Sequence, residues 1–332
     1  MMSGSSRRLY VRSEAWPLAR PFTISRGAKT MAEVVLVEIE ENGRFGRGEC
    51  VPYPRFGQTP AAAVEMIAAV TGEIEAGLSR AGLQEKLPPG PARNALDCAL
   101  WDLEAKLSVR PAWHLAGIAA PGSVITAETI GLDAPEAMAA AAARLSDRPL
   151  LKIKVGDKDV VERVSAVRAA APAARLVVDA NEGWNLALLQ RIGGMLAALD
   201  VEVIEQPLPD IQDASLHGFT LQQPALCADE SCHTVADLER LPDAYRMINI
   251  KLDKAGGLTE ALRLAAAARA RGLQVMVGCM VATSLGIAPA MLLARYASIV
   301  DLDGPLWLAQ DRDPALKFAN GWIYPPDAAL WG

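Results

Sequence analysis

The sequence predicts an α/β protein, a parallel β/α barrel preceded by a smaller α+β domain. Three observations predict it. The chain has 332 residues, past the size at which a single hydrophobic core stops growing, so two domains are expected. Its first third reads as strands and then helices. Beyond it, short β-rich runs recur, each followed by an Ala- and Leu-rich segment: SVITAETIG, LLKIKVG, ARLVVDAN, VEVIEQP, PALCADES, RMINIKLDK, LQVMVGCM and ASIVDLD. One marker from each of the last seven (Lys154, Asp179, Glu205, Asp229, Lys251, Cys279, Asp301) gives separations of 25, 26, 24, 22, 28 and 22. That beat is one strand plus one helix, and eight strands suggest closure into a barrel.

In the first third, residues from about Leu9 to Glu49 alternate as strands do, with Asn42-Gly43 as a hairpin signal. From about Thr59 to Gly117 the pattern is helical, and Thr59-Pro60 supplies an N-cap with proline at the first helical position.

Composition narrows the function classes. With 51% hydrophobic and 22% charged residues the chain is a folded protein. A net charge of -6 argues against a broad grip on nucleic acid or anionic membrane. No apolar run approaches the roughly 18 residues of a membrane span, and the opening MMSGSSRRLYVRSEAW lacks the apolar stretch of a secretory leader. The five cysteines (Cys50, Cys98, Cys227, Cys232, Cys279) form no C-x-x-C pair, which points to reduced thiols in a cytoplasm and away from structural zinc. The three histidines have no ligand spacing, so carboxylates must hold any metal.

Ionisable residues gather at the C-terminal ends of the barrel strands, the face where β/α barrels place their active sites. Side chains two apart on a strand share a face. Lys152 and Lys154 therefore point one way, as do Asp179 and Asn181, Lys251 and Asp253, and Asp301 and Asp303. Acids and lysines meeting in one small interior are costly unless compensated. A divalent cation held by Asp179, Glu205 and Asp229 is the simplest compensation, and all-oxygen ligation points to Mg²⁺. A lone Asp or Lys at a strand end is ordinarily just where the chain meets water; seven consecutive strands ending in K-x-K, D-x-N, E-x-P, D-E-S, K-x-D-K, G-C-M and D-x-D are not explained that way.

In order, the motifs GRGECVP (residues 46–52), LKIKVG, VVDAN, IEQP, ADES, NIKLDKAGG and VGCM resemble the enolase superfamily, in its subgroup of muconate-lactonising enzymes and dipeptide epimerases, over nearly the whole chain. The resemblance implies a modified (β/α)7β barrel spanning 119–305 under an α+β capping domain of 1–118 completed by 306–332. It implies one Mg²⁺ per subunit on Asp179, Glu205 and Asp229. It also implies Lys154 and Lys251 as acid/base catalysts on opposite faces of the substrate, and a homo-oligomer. A lysine base working with Mg²⁺ is the known pattern of that superfamily, and the residues of this chain match it. A metal-bound carboxylate stabilises the enediolate left when the adjacent proton is removed. Lys152, about 6.6 Å from Lys154 along the strand, is expected to lower the pKa of Lys154. Asn181 and Glu230 are expected to orient the metal ligands.

Substrate choice rests on two further features. Asp301 and Asp303, in VDLDGPL, suit a cationic partner such as a peptide α-ammonium; the D-x-D resembles that of dipeptide epimerases. In the PFTISRGAKT loop, Arg26 matches the arginine that engages glutamate in alanyl-glutamate epimerases. Cys279 and Met280 are read as inward lining of the substrate site, Tyr53 and Phe56 as packing or as a cover from the capping domain, and Lys254-Ala-Gly256-Gly257 as an anion-binding rim or a solvated turn. The expectation is a cytoplasmic, Mg²⁺-dependent epimerase of a small dipeptide, L-Ala-D/L-Glu from murein peptide turnover. Its rivals are o-succinylbenzoate synthase, N-acylamino acid racemase or cycloisomerase activity, a Schiff-base lyase, and a non-catalytic dipeptide-binding barrel.

Overall fold

The computed structural model describes residues 7–332; the first six, on which the reading of the leader partly rests, lie outside the described residues. An antiparallel sheet opens the chain: β1 (Arg8–Ile24), β2 (Gly27–Glu41) and β3 (Arg44–Cys50). The Asn42-Gly43 turn joins β2 to β3 with φ of 53° and 72°, the left-handed pair a tight hairpin needs. Helix α1 (Pro60–Ala68) begins as expected, its Thr59 side chain accepting from the Ala62 amide at 3.1 Å.

Helix α2 (Pro91–Ser108) is the spine of this part and is buried on nearly every side. One flank packs Ala95, Leu96 and Ala99 against Val35, Val37 and Ile39 of β2. Strand β3 crosses α2 almost backbone to backbone. A Cβ on Gly46 would lie 2.2 Å from the Ala99 carbonyl and one on Gly48 2.0 Å from that of Ala95, which is the physical reason for the GRG sequence.

Eight parallel strands follow in sequential order: β4 (Glu128–Ile130), β5 (Leu150–Lys154), β6 (Arg175–Asp179), β7 (Val201–Glu205), β8 (Ala225–Ala228), β9 (Tyr245–Ile250), β10 (Gln274–Gly278) and β11 (Ile299–Asp301). The Ala127 amide donates to the Val300 carbonyl at 2.8 Å, drawing the last strand to the first. Helices α3 (Pro135–Arg144), α4 (Val160–Ala170), α5 (Leu186–Ala198) and α6 (Leu258–Ala270) cover the outside. The strand–helix alternation is not uniform. After β7 and β8 the connections hold only 3-10 turns at Asp210–Leu216 and Val235–Glu239, the first within a stretch broken by Pro207, Pro209, Gly218 and Pro224.

The barrel floor is an apolar ring with one residue from each strand or its approach: Ala127, Leu150, Val177, Val203, Cys227, Met247, Met276 and Ile299. Two residues further along, the same inward side carries a polar group on every strand but β10, where Gly278 leaves room for the Asn249 side chain. All five cysteines are free. Among the described residues no helix is long and apolar enough to cross a membrane.

Candidate active site

Above the ring, Lys152, Asp179, Glu205, Asn249 and Asp301 all project inward and all are buried. Lys152 sits among three carboxylates, 2.7 Å from Glu205, 2.7 Å from Asp301 and 3.1 Å from Asp179. Burial alone pushes its ammonium down, but Asp301, Glu205 and Asp179 outweigh this and raise its pKa. Lys152 is thus a neutralised hub and not the bare like charge beside Lys154 that its spacing suggested. Lys154 lies 2.5 Å from Asp179.

Lys251 follows β9 and lies 2.6 Å from Asp229. Desolvation lowers its pKa, and Asp229 and Glu205 overcome that to leave it raised. Four strand positions separate β5 from β9 in an eight-stranded array, so Lys154 and Lys251 approach from opposite sides of the mouth. Asp253 departs from expectation. The chain turns into a short helix at Leu252–Ala255, and its carboxylate accepts from the Val51 amide (2.9 Å) and from Asn94 (2.8 Å) of the capping part, away from Lys251.

Lys254 stands in no solvated turn but among the residues that line the cavity described below. It is 4% exposed, lies 2.6 Å from Asp229, and donates to the carbonyls of Cys232 at 2.9 Å and Asn249 at 3.0 Å and to that of Asp229. Burial raises the pKa of Asp229, but Lys251 and Lys254 prevail and hold it well below the carboxylate range. Glu205 goes the other way, pushed up to about 7 by burial and then by Asp179.

The oxygens here test a metal's fit. Glu205 Oε2, Asp229 Oδ1, Asn181 Oδ1, Asn249 Oδ1 and Asp301 Oδ1 are buried without a directed hydrogen bond. Such hard, partly unsatisfied donors on adjacent strands suit a hard divalent cation and offer nothing to a thiophilic one. As the side chains stand, no three His, Cys, Asp or Glu groups among the described residues converge closely enough to clasp an ion. Ammonium groups occupy the gap: Lys152 lies between Asp179 and Glu205, and two lysines flank Asp229.

A cavity of about 740 Å³ opens over this cluster, lined among others by Lys154, Lys251, Cys279, Met280, Asp301 and Asp303. Cys279 and Met280 stand in the wall of this cavity. Asp303 is fastened by the Thr129 amide at 2.7 Å and the Trp307 indole at 3.4 Å; burial, then Asp301, push it up to about 7. Tyr53 and Phe56 stand in the cavity wall and not in a core, 5.7 Å apart and edge to face. Arg26 reaches in from the turn between β1 and β2, 2.9 Å from Glu230 and donating to Tyr53 at 2.9 Å. Glu230 is therefore the partner of Arg26 rather than of a ligand carboxylate; burial, followed by Asp229, pushes it up to about 8. Asn181 donates its amide to Asp179 at 2.9 Å, orienting that carboxylate through the backbone.

Sequence reasoning missed the groups that hold this arrangement across the two parts. Glu182 pairs with Arg26 (3.1 Å) and Arg55 (2.6 Å). Glu49, buried at 1% exposure, accepts from the Thr283 amide at 2.9 Å and pairs with Arg312 at 2.6 Å. The acidic residue inside GRGEC was the available signal for the second.

Comparison with known proteins agrees with this architecture. Residues 6–117 match the mandelate racemase / muconate lactonizing enzyme N-terminal domain and residues 136–329 the enolase C-terminal domain-like family. The chain is 49% identical to an L-Ala-D/L-Glu epimerase of Escherichia coli K12, covering 96% of this chain and 99% of the relative. It is 43% identical to an N-acetyl-D-glutamate racemase of Pseudoalteromonas, covering 90% and 95%. An enolase family member from Agrobacterium tumefaciens with homology to dipeptide epimerases, solved with sodium and L-Ala-L-Glu, superposes with a TM-score of 0.95 at 49% identity over 98% of this chain and 100% of that one. The chain belongs to the mandelate racemase / muconate lactonizing enzyme family of the enolase superfamily.

Proposed function

We propose that the protein is a Mg²⁺-dependent dipeptide epimerase that inverts the α-carbon of the C-terminal residue, with L-Ala-D/L-Glu as substrate. The observation that carries this reading is the pair Lys154 and Lys251 on opposed strands across one carboxylate-lined mouth. One amine takes the α-proton from one face and the opposite ammonium returns a proton to the other, so configuration inverts and no proton is gained or lost overall. Asp179, Glu205 and Asp229 would hold Mg²⁺, which when bound supplies positive charge where the substrate carboxylate gathers negative charge. Lys152 holds Asp179, Glu205 and Asp301 in place through three short ion pairs. Asp301 and Asp303 take the dipeptide's ammonium, and the unsatisfied Asp301 Oδ1 is the acceptor available to it. Arg26 takes the glutamate side chain. The setting is a cytoplasmic homo-oligomer acting on peptides released from murein.

Racemisation of an N-acylated glutamate is the second reading, favoured by the 43% identical racemase; its substrate has no ammonium for Asp301 and Asp303. Proton NMR of L-Ala-L-Glu in D₂O, with and without Mg²⁺, tests the first. Metal-dependent loss of the glutamate α-proton with growth of the L,D diastereomer is the expected result. Exchange of N-acetylglutamate alone would replace it with the second, and no exchange of either would sink both.

A further inference from the structure

The β6–α5 loop carries a residue with no place in the proton-transfer chemistry and a conspicuous number of partners. Glu182 Oε2 accepts from Arg55 Nε at 2.6 Å and from Arg26 at 3.1 Å; its Oε1 accepts from Arg55 at 2.7 Å and from the Asp210 amide at 3.1 Å. Three separate segments therefore end on one carboxylate: the β1–β2 turn, the turn that carries Arg55, and the connection after β7. Its side chain is only 6% exposed, so these charge-assisted bonds are shielded from water. The backbone reaches this position at a cost, since Asn181 and Glu182 both adopt left-handed φ, 44° and 65°. For a glutamate that is uncommon, and such strain persists where surrounding contacts over-determine it.

The contacts of Arg26 show what the arrangement achieves. One guanidinium nitrogen donates to the Asn181 carbonyl (2.7 Å) and to Glu182; the other donates to Tyr53 and to Glu230, both at 2.9 Å. Without Glu182, Arg26 retains its partners on one side and loses the carboxylate on the other. Arg55 loses its bidentate partner and keeps Asp210 at 3.1 Å. Both turns line the cavity mouth.

We propose that Glu182 is a positioning residue for substrate choice: it fastens the two turns that cover the cavity and aims Arg26 at the side chain of the substrate's second residue, and so sets the preference for an acidic dipeptide. This rests on the reading of Arg26 as the partner of that side chain. Arg55 acts with it, through the same carboxylate.

The experiment compares the full-length protein with Glu182→Ala and, as a variant of unchanged volume, Glu182→Gln, both first checked for an unaltered far-UV spectrum and melting transition. Epimerisation of L-Ala-L-Glu and of its neutral isostere L-Ala-L-Gln is followed by proton NMR, and the substrate-free proteins are exposed to trypsin, which cuts after Arg26 and Arg55. Loss of a charge-assisted contact is expected to raise KM for L-Ala-L-Glu roughly tenfold with kcat held within about twofold, and to speed both cleavages roughly tenfold. The neutral dipeptide should be turned over as by the wild type, so discrimination falls. Equal losses on both dipeptides, or unchanged KM with unchanged cleavage, would overturn the proposal. A wild type inactive on both dipeptides, with cleavage still responding to Glu182, would remove the substrate reading and leave the fastening of the turns standing.

Discussion

Asp97→Asn should change how stability depends on pH while leaving the fold intact. Asp97 sits on the face of α2 that meets the barrel and has no solvent exposure. Its carboxylate accepts from the Thr259 amide at 2.9 Å, the Thr259 hydroxyl at 2.6 Å and Gln84 at 3.0 Å. Burial raises its pKa from 3.8 to about 6, against the lowering effect of the Thr259 bonds and of Arg80 and Arg93. A carboxyl whose pKa is higher folded than unfolded holds its proton in the native state after the unfolded chain has released it. Below pH 3.8 both states are protonated and the group is neutral with respect to stability. Between pH 3.8 and about 6 its contribution falls as pH rises, and above about 6 the full cost is present. A difference of about 2 pH units amounts to about 3 kcal/mol.

Asparagine carries no such dependence. It forfeits one acceptor, a penalty that does not vary with pH, so the slope and not the offset reports on burial. Other carboxylates titrate in both proteins and cancel in the difference. Unfolding midpoints in urea, measured for both proteins at intervals from about pH 4 to about pH 7, should show the variant gaining on the wild type by about 3 kcal/mol across that range. A difference that stays flat would mean that Asp97 is ionised throughout, and that the Thr259 and Gln84 bonds offset its desolvation in full.

Three further outcomes are expected. Lys154→Ala and Lys251→Ala should each abolish inversion, with kcat down about 10²- to 10⁴-fold, while each still exchanges the α-proton of one diastereomer into D₂O; variants that still invert would separate the lysines from the chemistry. Asp303→Asn should raise KM for L-Ala-L-Glu about 10- to 100-fold and leave N-acetylglutamate binding unchanged, by steady-state kinetics and calorimetry. It is a cleaner probe than Asp301, which also holds Lys152 at 2.7 Å. Glu49→Gln breaks a buried pair whose Arg312 retains Glu14 at 2.7 Å, and should cost about 3 kcal/mol of stability by denaturant titration; an unchanged midpoint would show that the Glu14 pair alone secures Arg312.

What the sequence made legible follows from the period of a strand. Because inward positions recur every two residues, Lys152, Asp179, Glu205 and Asp301 had to share one interior once the runs holding them were identified as parallel strands, and they do. The same rule failed at Asp253, because the strand ends at Ile250 and a helical turn begins after Lys251; alternation carries no information past a strand's last residue. It failed differently at Lys254. A lysine beside two glycines reads as solvent-facing, yet it is consumed by Asp229 and a set of backbone carbonyls, partners that no residue pattern reveals. Glu182 and Glu49 were illegible for a third reason. Their cations, Arg26, Arg55 and Arg312, lie more than a hundred residues away in sequence, and pairs between the two parts are set by docking and not by any local period. The residues proposed to carry the chemistry are therefore legible from the period of the strands that hold them. The contact proposed to adjust specificity is written across the seam, where only the folded chain brings its members together.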